Sequence, residues 1–338
     1  MKIFYRALLL AAAFCFMPPA SGAQSRTAVT IYGLKGASGI ALLRLFEAPP
    51  QMPPYALTVQ ALPQQDIMAA LFISGEAKIG ILPPNMAAKL AASGKKLQIA
   101  AVTGTGMLTL LSGDPAVRRI EDLKGKTVEV AGQGATPDFV FRKIVQAKGM
   151  TIGRDIHFGY ALAYPEMARA LAAGRIQYAL LPEPFSTMAL NANRSLAAIG
   201  DIQGEWARLT RNQHAFTGDN APYAGQAGNF PMSVLVVDRD FASAHGALLN
   251  VILESVQSSI EWVTAHPDEA GILAEKHELG LPARVVQNAI PKSNYVFIPA
   301  TEARTGLEAL FAIFLEFAPE SIGGRMPTDD FYYSQWNR

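Results

Sequence analysis

The segment Gly132-Gln133-Gly134-Ala135-Thr136-Pro137 has the residue types of a small-ligand site at the start of a helix. It follows a predicted strand, but the third glycine of a dinucleotide fingerprint is missing because Pro137 stands in its place. Threonine suits a helix N-cap, proline suits the first helical position, and Asp138 suits the positive end of the helix dipole. Either the turn is a plain cap, or its backbone N–H groups hold a small monoanion or neutral polar group. The absence of Lys and Arg disfavours a polyphosphate.

Three other predicted strand ends carry polar or small residues that could face the same ligand. Gly36-Ala37-Ser38-Gly39 follows the first predicted strand, and its spacing differs from the G-x-S-x-G pattern of a serine nucleophile. Asn85, after two prolines, offers an uncharged donor and acceptor. Glu183 ends the predicted strand Tyr178–Leu181, either as a ligand acceptor or as a carboxylate at the start of the next helix. We predict that Gly36, Ala37, Ser38, Asn85, Gly134, Ala135, Thr136 and Glu183 bind ligand.

Metal binding and covalent catalysis find little support in the sequence. No two of the five histidines, which are His157, His214, His245, His266 and His277, stand three to five residues apart, so no zinc pair is indicated. The single cysteine, Cys15, lies in an N-terminal segment that we expect to be removed. We therefore predict no metal, no cofactor and no enzymatic activity.

Alternating strands and helices must position these residues. Two α/β series are predicted, and a helical tail with an apolar face on residues 249–263 follows them. The predicted strands are Val29–Tyr32, Tyr55–Ala61, Ile79–Leu82, Leu97–Val102, Met107–Leu111, Thr127–Ala131, Ile156–Tyr160, Tyr178–Leu181 and Val234–Val237. The predicted tail helices are Pro267–Glu278, Pro282–Ala289 and Thr305–Phe317, and Asp201–Gly228 is interpreted as irregular surface. Such alternation predicts mostly parallel sheets, with ligands bound at the carboxyl ends of the strands.

The predicted domain organisation is two lobes with a ligand cleft between them. Residues 24–105 and 236–338 form a discontinuous first lobe, and residues 106–235 form the second. The lobes are joined by short strands near Thr103–Leu111 and Phe230–Val236. Thr103 stands at the first crossing, and we add it to the predicted ligand-binding residues.

Composition and the N-terminus indicate an exported globular protein. Half of the 338 residues are hydrophobic and 17% are charged, which excludes a disordered chain. A formal net charge of +1 gives no field to attract nucleic acid. Lys2 and Arg6 precede the short apolar run Ala7–Met17, and Ser21-Gly22-Ala23 supplies a small-residue cleavage site. Residues 1–23 are therefore predicted to be a cleavable signal peptide, and the protein is predicted to be periplasmic.

Several motifs, in this order, resemble the periplasmic substrate-binding proteins of ABC importers. The resemblance is to the nitrate/sulfonate/taurine-type group, whose relatives bind thiamine-pyrimidine precursors. It covers nearly all of the chain after residue 23. The matching segments are Ile120-Glu121-Asp122-Leu123-Lys124-Gly125-Lys126, Gly134-Ala135-Thr136-Pro137-Asp138, Leu181-Pro182-Glu183-Pro184-Phe185, Phe230–Phe241, Ser321-Ile322-Gly323-Gly324 and Asp329-Asp330-Phe331-Tyr332-Tyr333.

The resemblance implies an α/β, two-lobed periplasmic binding protein of type II that delivers a small polar solute to an inner-membrane permease. It also implies a monomer that closes on its solute, with the pocket residues named above at Gly36–Ser38, Asn85 and Gly134–Thr136. Two alternatives stay open. One is an enzyme on the same fold, of the pyrimidine-precursor-synthesis or dehydratase type; the other is a solute receptor for a membrane sensor.

Overall fold

Two β-sheets flanked by helices make up the protein. The structure is a computed structural model that describes residues 27–130, 132–210 and 230–336. The strands are β1 (Thr27–Leu34), β2 (Gln51–Met52), β3 (Tyr55–Leu62), β4 (Ile79–Leu82), β5 (Leu97–Thr105), β6 (Leu108–Ser112), β7 (Thr127–Val130), β8 (His157–Gly159), β9 (Tyr178–Pro182), β10 (Ala197–Ala198), β11 (Pro231–Asp238) and β12 (Tyr295–Pro299). The two-lobed α/β fold that we predicted is confirmed.

The helices cover both faces of the sheets. They are α1 (Ala37–Ala41), α2 (Leu43–Glu47), α3 (Gln65–Ser74), α4 (Pro84–Ala92), α5 (Thr136–Ala147), α6 (Tyr164–Ala172), α7 (Phe185–Ala192), α8 (Ile202–Thr210), α9 (Arg239–Ala244), α10 (Gly246–Ala265), α11 (Pro267–Lys276), α12 (Ala283–Ala289) and α13 (Ala300–Phe317). Short 3-10 helices lie at Ile120–Leu123, Ile290–Lys292, Pro319–Ile322 and Asp329–Phe331. None of the helices in the described part of the chain has the length and apolar character that crossing a bilayer requires.

The first sheet has seven strands in the order β12-β5-β11-β4-β1-β3-β2, and the second has five in the order β10-β6-β9-β7-β8. Strand β1 runs parallel to β3 and β4, and β7 runs parallel to β8 and β9. The other pairs are antiparallel, so both sheets are mixed rather than mostly parallel. The reason is the chain path. Strands β5, β6 and β11 carry the chain from the first sheet to the second and back, and each runs antiparallel to the strands beside it.

Two predicted secondary-structure assignments were wrong. Helix α8 occupies residues 202–210, which we predicted to be irregular; residues 211–228 of that prediction lie outside the described residues. Trp206 of α8 is fully buried and packs edge-on against Phe230, with ring centroids 5.3 Å apart. Strand β12 interrupts the predicted helical tail and pairs with β5 at the edge of the first sheet. Tertiary packing therefore stabilises both elements.

The chain passes from the first sheet to the second between β5 and β6, and it returns with β11, which pairs with β4 and β5. The assignment of residue ranges to the two lobes stays a prediction. A shared core joins the sheets at one side. Phe139 of α5 packs against Phe314 and Phe317 of α13, with centroids 5.0 and 5.9 Å apart.

Candidate functional site

A hydrogen bond between Asn85 and Gly134 joins the segment after β4 of the first sheet to the segment after β7 of the second sheet. Asn85 is the second residue of α4, directly after strand β4, and its Nδ2 donates to the carbonyl oxygen of Gly134 at 3.2 Å. Its Oδ1 is buried and has no hydrogen-bond partner among the described residues. An unpaired buried amide oxygen is costly, so this acceptor is available for a donor on a small molecule.

The loop before α5 is held by Asp138 rather than by Thr136. The N–H of Gly134 donates to Asp138 Oδ2 at 2.9 Å, and the other carboxylate oxygen accepts from Arg142 and from the Tyr160 hydroxyl. Asp138 is 1% exposed, and this network keeps the Gly134 carbonyl aimed at Asn85.

Thr136 is not the helix N-cap, and that prediction was wrong. Ala135 is the N-cap, Thr136 is the first helical residue, and no side chain of the cap position bonds to the helix. The physical reason is that the helical hydrogen bonds begin one residue earlier, since the Phe139 N–H donates to the carbonyl oxygen of Ala135 at 3.2 Å and is not left for a threonine side chain. The Thr136 hydroxyl is instead buried without a partner among the described residues.

The turn at Gly36, Ala37 and Ser38 lies against Phe185, the first residue of α7. A side chain at Gly36 would meet the ring of Phe185, since an ideal Cβ there lies 3.5 Å from two ring carbons. The carbonyl oxygen of Ala37 accepts from the Tyr295 hydroxyl at 3.0 Å. The Ser38 hydroxyl accepts from the N–H of Leu34 at 2.8 Å, so it is engaged within its own turn.

Glu183 is buried directly after strand β9, as predicted. Its Oε2 accepts the N–H of Thr187 at 3.2 Å, so the carboxylate interacts with the start of α7. Burial raises the pKa of Glu183, while the nearby Ser186 and Thr187 hydroxyls, the bond from the Thr187 N–H and the charge of Lys292 act in the opposite direction. A carboxyl group in this state can accept from a bound molecule or, when protonated, donate to it.

Aromatic side chains that sequence reasoning missed complete the site. Tyr164 stacks on Phe185 with centroids 5.6 Å apart, and its hydroxyl lies near Gly132. Tyr295 bonds to Ala37 and is close enough to Glu183 for that carboxylate to help burial raise its pKa. Tyr164 directly follows a predicted strand-end loop, so its position in the sequence could have identified it as a site residue. Tyr295 lies in strand β12, which was not predicted, and no sequence pattern indicated a role for it.

We call these residues the interlobe cluster: Gly36, Ala37, Asn85, Gly134, Ala135, Thr136, Tyr164, Glu183, Phe185 and Tyr295. Within the described part of the chain, Thr103 is not joined to this cluster by its side chain, although it precedes Gly104, the β5 register partner of Tyr295. Its hydroxyl shares a 3.0 Å hydrogen bond with Ser233, which joins β5 to β11. Among residues 27–130, 132–210 and 230–336, no hydrogen bond joins Thr103 to the cluster. Within those same ranges, no group of three or more His, Cys, Asp or Glu side chains could hold a metal ion.

The sequence profile of the NMT1/THI5-like family matches residues 56–270, which is well over half of the chain. The chain belongs to this family. The family match and the structural neighbours confirm the resemblance that the sequence motifs indicated. No curated protein sequence matches the chain significantly.

Solved structures of periplasmic binding proteins have the same fold as this family member. An ABC transporter protein from Parabacteroides distasonis is 24% identical with a TM-score of 0.72, and the match covers 91% of this chain and 99% of that one. The periplasmic aliphatic sulphonate-binding protein SsuA from Escherichia coli is 16% identical with a TM-score of 0.67, over 92% and 93%. The periplasmic nitrate-binding protein NrtA from Synechocystis is 13% identical with a TM-score of 0.60, over 90% and 84%.

Proposed function

We propose that the protein is an extracytoplasmic solute-binding protein that captures a small polar molecule in the interlobe cluster and delivers it to an ABC importer. The hydrogen bond from Asn85 to Gly134 is the main support for the proposal. It joins the start of helix α4 to the loop before α5, and both of these segments are predicted to bind ligand. A molecule held there would contact both lobes, and closure of the lobes would bury it. The sulphonate- and nitrate-binding proteins with this fold support such a role.

The chemistry of the cluster favours a solute with hydrogen-bond donors over a strong anion. Asn85 Oδ1 and the Thr136 hydroxyl are unpartnered among the described residues, and Glu183 adds an acidic group. The stacked rings of Tyr164 and Phe185 offer a flat apolar surface. We therefore propose a small polar, planar solute that presents N–H or O–H groups.

We propose no catalytic role. The Glu183 carboxyl is the acid of the cluster, and its bond to the Thr187 N–H already gives it a structural function. The enzyme alternative makes a distinct prediction, since a catalytic acid or base at Glu183 would make the wild type convert its bound solute. Conversion that is lost in Glu183→Gln would contradict the binding-protein proposal.

Export is a separate part of the proposal, since residues 1–26 lie outside the described residues. We propose that the mature protein begins at Gln24 and works in the periplasm, where it meets its permease as a monomer. N-terminal sequencing of the exported protein tests this. A folded protein that retains Met1 would contradict it.

The solute-binding proposal is tested by calorimetry after a thermal-shift screen with ethanesulfonate, nitrate and a 4-aminopyrimidine. We expect the 4-aminopyrimidine to bind best, and Asn85→Ala to weaken that binding by about tenfold or more because it removes a buried acceptor and the interlobe bond. Gln65→Ala, at an exposed amide on α3, is the matched control and should leave the affinity unchanged. Equal affinity of Asn85→Ala and wild type would contradict the site.

A further inference from the structure

A cavity of about 230 Å³ lies at the far end of α4 from the interlobe cluster. It is formed by the last turn of α4, the start of β5, Arg239 and the segment 322–331. Its α4 lining residues, Ala88, Ala91 and Ala92, follow Asn85 by three to seven residues, which is about 4.5–10.5 Å along the helix axis. None of the interlobe cluster residues lines this cavity, so the two sites share no residue.

Positive charge dominates the lining of this cavity. Lys95, Lys96, Arg239 and Arg325 line it together with one acidic residue, Asp330, so the charges of the lining residues sum to +3. Asp330 is already engaged, because its carboxylate pairs with Arg239 at 2.7 Å. The lining thus keeps an excess of cationic groups that a small anion would neutralise.

The four cationic side chains of the cavity differ in how many hydrogen-bond and ion-pair partners they already have. Lys95 donates to the carbonyl oxygen of Ile73 at 2.6 Å, and Lys96 pairs with Asp240 at 3.0 Å. Arg325 is exposed, and no ion pair involves it among the described residues. Arg325 is therefore available to a ligand with little competition from neighbouring acids.

The guanidinium of Arg239 is only partly satisfied by its neighbours. Two of its guanidinium nitrogens contact Asp330, at the carboxylate and at the backbone carbonyl. Its Nε is buried and has no acceptor among the described residues. A buried cationic N–H without an acceptor is costly, and a planar guanidinium binds oxyanions through pairs of parallel N–H groups.

We propose that this cavity binds a small oxyanion, held by Arg239 and Arg325. The class includes sulfate, phosphate and short aliphatic carboxylates. The cavity is smaller than the roughly 300–1,000 Å³ of pockets for drug-sized ligands, which limits the occupant to a small ion or molecule. Its walls include the buried apolar residues Leu97, Ile322 and Phe331, so a short aliphatic chain on a carboxylate finds apolar contacts there.

Nuclear magnetic resonance titration of the full-length mature protein with sodium sulfate, and separately with sodium butyrate, tests the proposal at constant ionic strength. We expect saturable shifts of the Gly94, Lys96 and Thr328 amides and of the Arg239 Nε–H. Tighter binding of butyrate identifies a carboxylate site, and tighter binding of sulfate identifies an inorganic oxyanion site; either supports the proposal.

Three variants complete the test. Arg239→Lys keeps the charge but removes the fork, and Arg325→Gln removes an exposed charge; each should weaken binding by about tenfold or more. Lys89→Gln removes an exposed charge on α4 outside the cavity and should bind as the wild type does. The proposal is overturned if neither anion shifts the lining amides, if both arginine variants bind normally, or if Lys89→Gln weakens binding as much as they do.

Discussion

Two features of its surroundings shift the pKa of Glu183 in opposite directions. Its carboxylate accepts the Thr187 N–H at the start of α7, which favours the charged form, while burial favours the neutral form and dominates. A raised pKa in the folded state means that folding takes up a proton at intermediate pH. The stability that Glu183 contributes is therefore present at low pH and lost as pH rises through the raised pKa.

Glu183→Gln should remove this pH dependence while keeping an oxygen that accepts from Thr187. The free energy of unfolding of the wild type should fall relative to the variant as pH rises from below the ordinary value of 4.5. Urea unfolding of both proteins across this range measures the difference. Glu302→Gln, at an exposed helix start, is the control, and a difference that does not change with pH would contradict the raised pKa.

The Thr136 hydroxyl gives a second prediction at the residue scale. Because this buried hydroxyl has no partner among the described residues, Thr136→Val should change the free energy of unfolding by less than about 0.5 kcal/mol or raise it. Thr210 is equally buried but donates to the Trp206 carbonyl at 2.8 Å, so Thr210→Val should cost about 1 kcal/mol. Equal costs in urea unfolding would show that Thr136 makes a structural hydrogen bond.

The candidate site residues that could be predicted from the sequence are those indicated by neighbouring residues in the chain. Glycines, prolines and polar residues after strands identified Asn85, Gly134 and Glu183, because turn chemistry is written into neighbouring positions. The role of Thr136 was not predictable, since the start of α5 at Ala135, one residue earlier than the capping residues indicate, becomes visible only in three dimensions. Tyr295 could not be predicted because its contact with Ala37 joins parts of the chain that are far apart in sequence.

The same limit holds at the scale of elements. The helices with a long apolar face, such as α10 and α13, were expected from their spacing. Strand β12 is a five-residue apolar run, and periodicity does not separate such a run from a buried helix turn. Helix α8 has Ile202 and Trp206 four residues apart, which is a helical spacing. We nevertheless predicted an irregular segment there because of its many polar residues.

The segment 319–331 gives an element-scale prediction because it approaches α4 very closely. A Cβ at Gly323 would lie 2.2 Å from the Cβ of Ala92, and the glycine has a φ of 79°. Gly323→Ala should therefore lower the free energy of unfolding by about 2–4 kcal/mol, from backbone strain and from the clash together.

Gly324→Ala separates the two causes in the same experiment. Gly324 has the same φ of 79°, but no heavy atom lies within 4 Å of its Cβ position. We expect this variant to show only the backbone cost of about 1 kcal/mol. If the two variants lost equal stability in urea unfolding, the contact with α4 would be looser than the structure has it.

At the scale of the whole molecule, the shared core around Phe139 should make the two lobes unfold together. Phe139 is 2% exposed and packs on Phe314 and Phe317 of α13, a helix that contacts β5 and β12 of the first sheet. Unfolding followed by Trp206 fluorescence, with Trp262 and Trp336 replaced by phenylalanine, should coincide with unfolding followed by far-ultraviolet circular dichroism.

Phe139→Ala should separate those two curves and cost about 3–5 kcal/mol, because it removes the ring that joins the cores. Phe141→Ala is the control, since Phe141 is also buried but stacks on Phe158 within its own lobe. It should lower stability and keep the two curves together. Separate transitions already in the wild type would show that the lobes unfold independently.

The position of β11 in the first sheet has a consequence for the order of folding. This strand lies between β4 and β5, yet it follows the entire second sheet in the chain. Until it arrives, β4 and β5 have no final partner on that side, and unpaired strand edges invite pairing with other chains. The emerging chain is therefore most prone to aggregate after β5 is made and before β11 is, which is the interval in which a chaperone would protect it best.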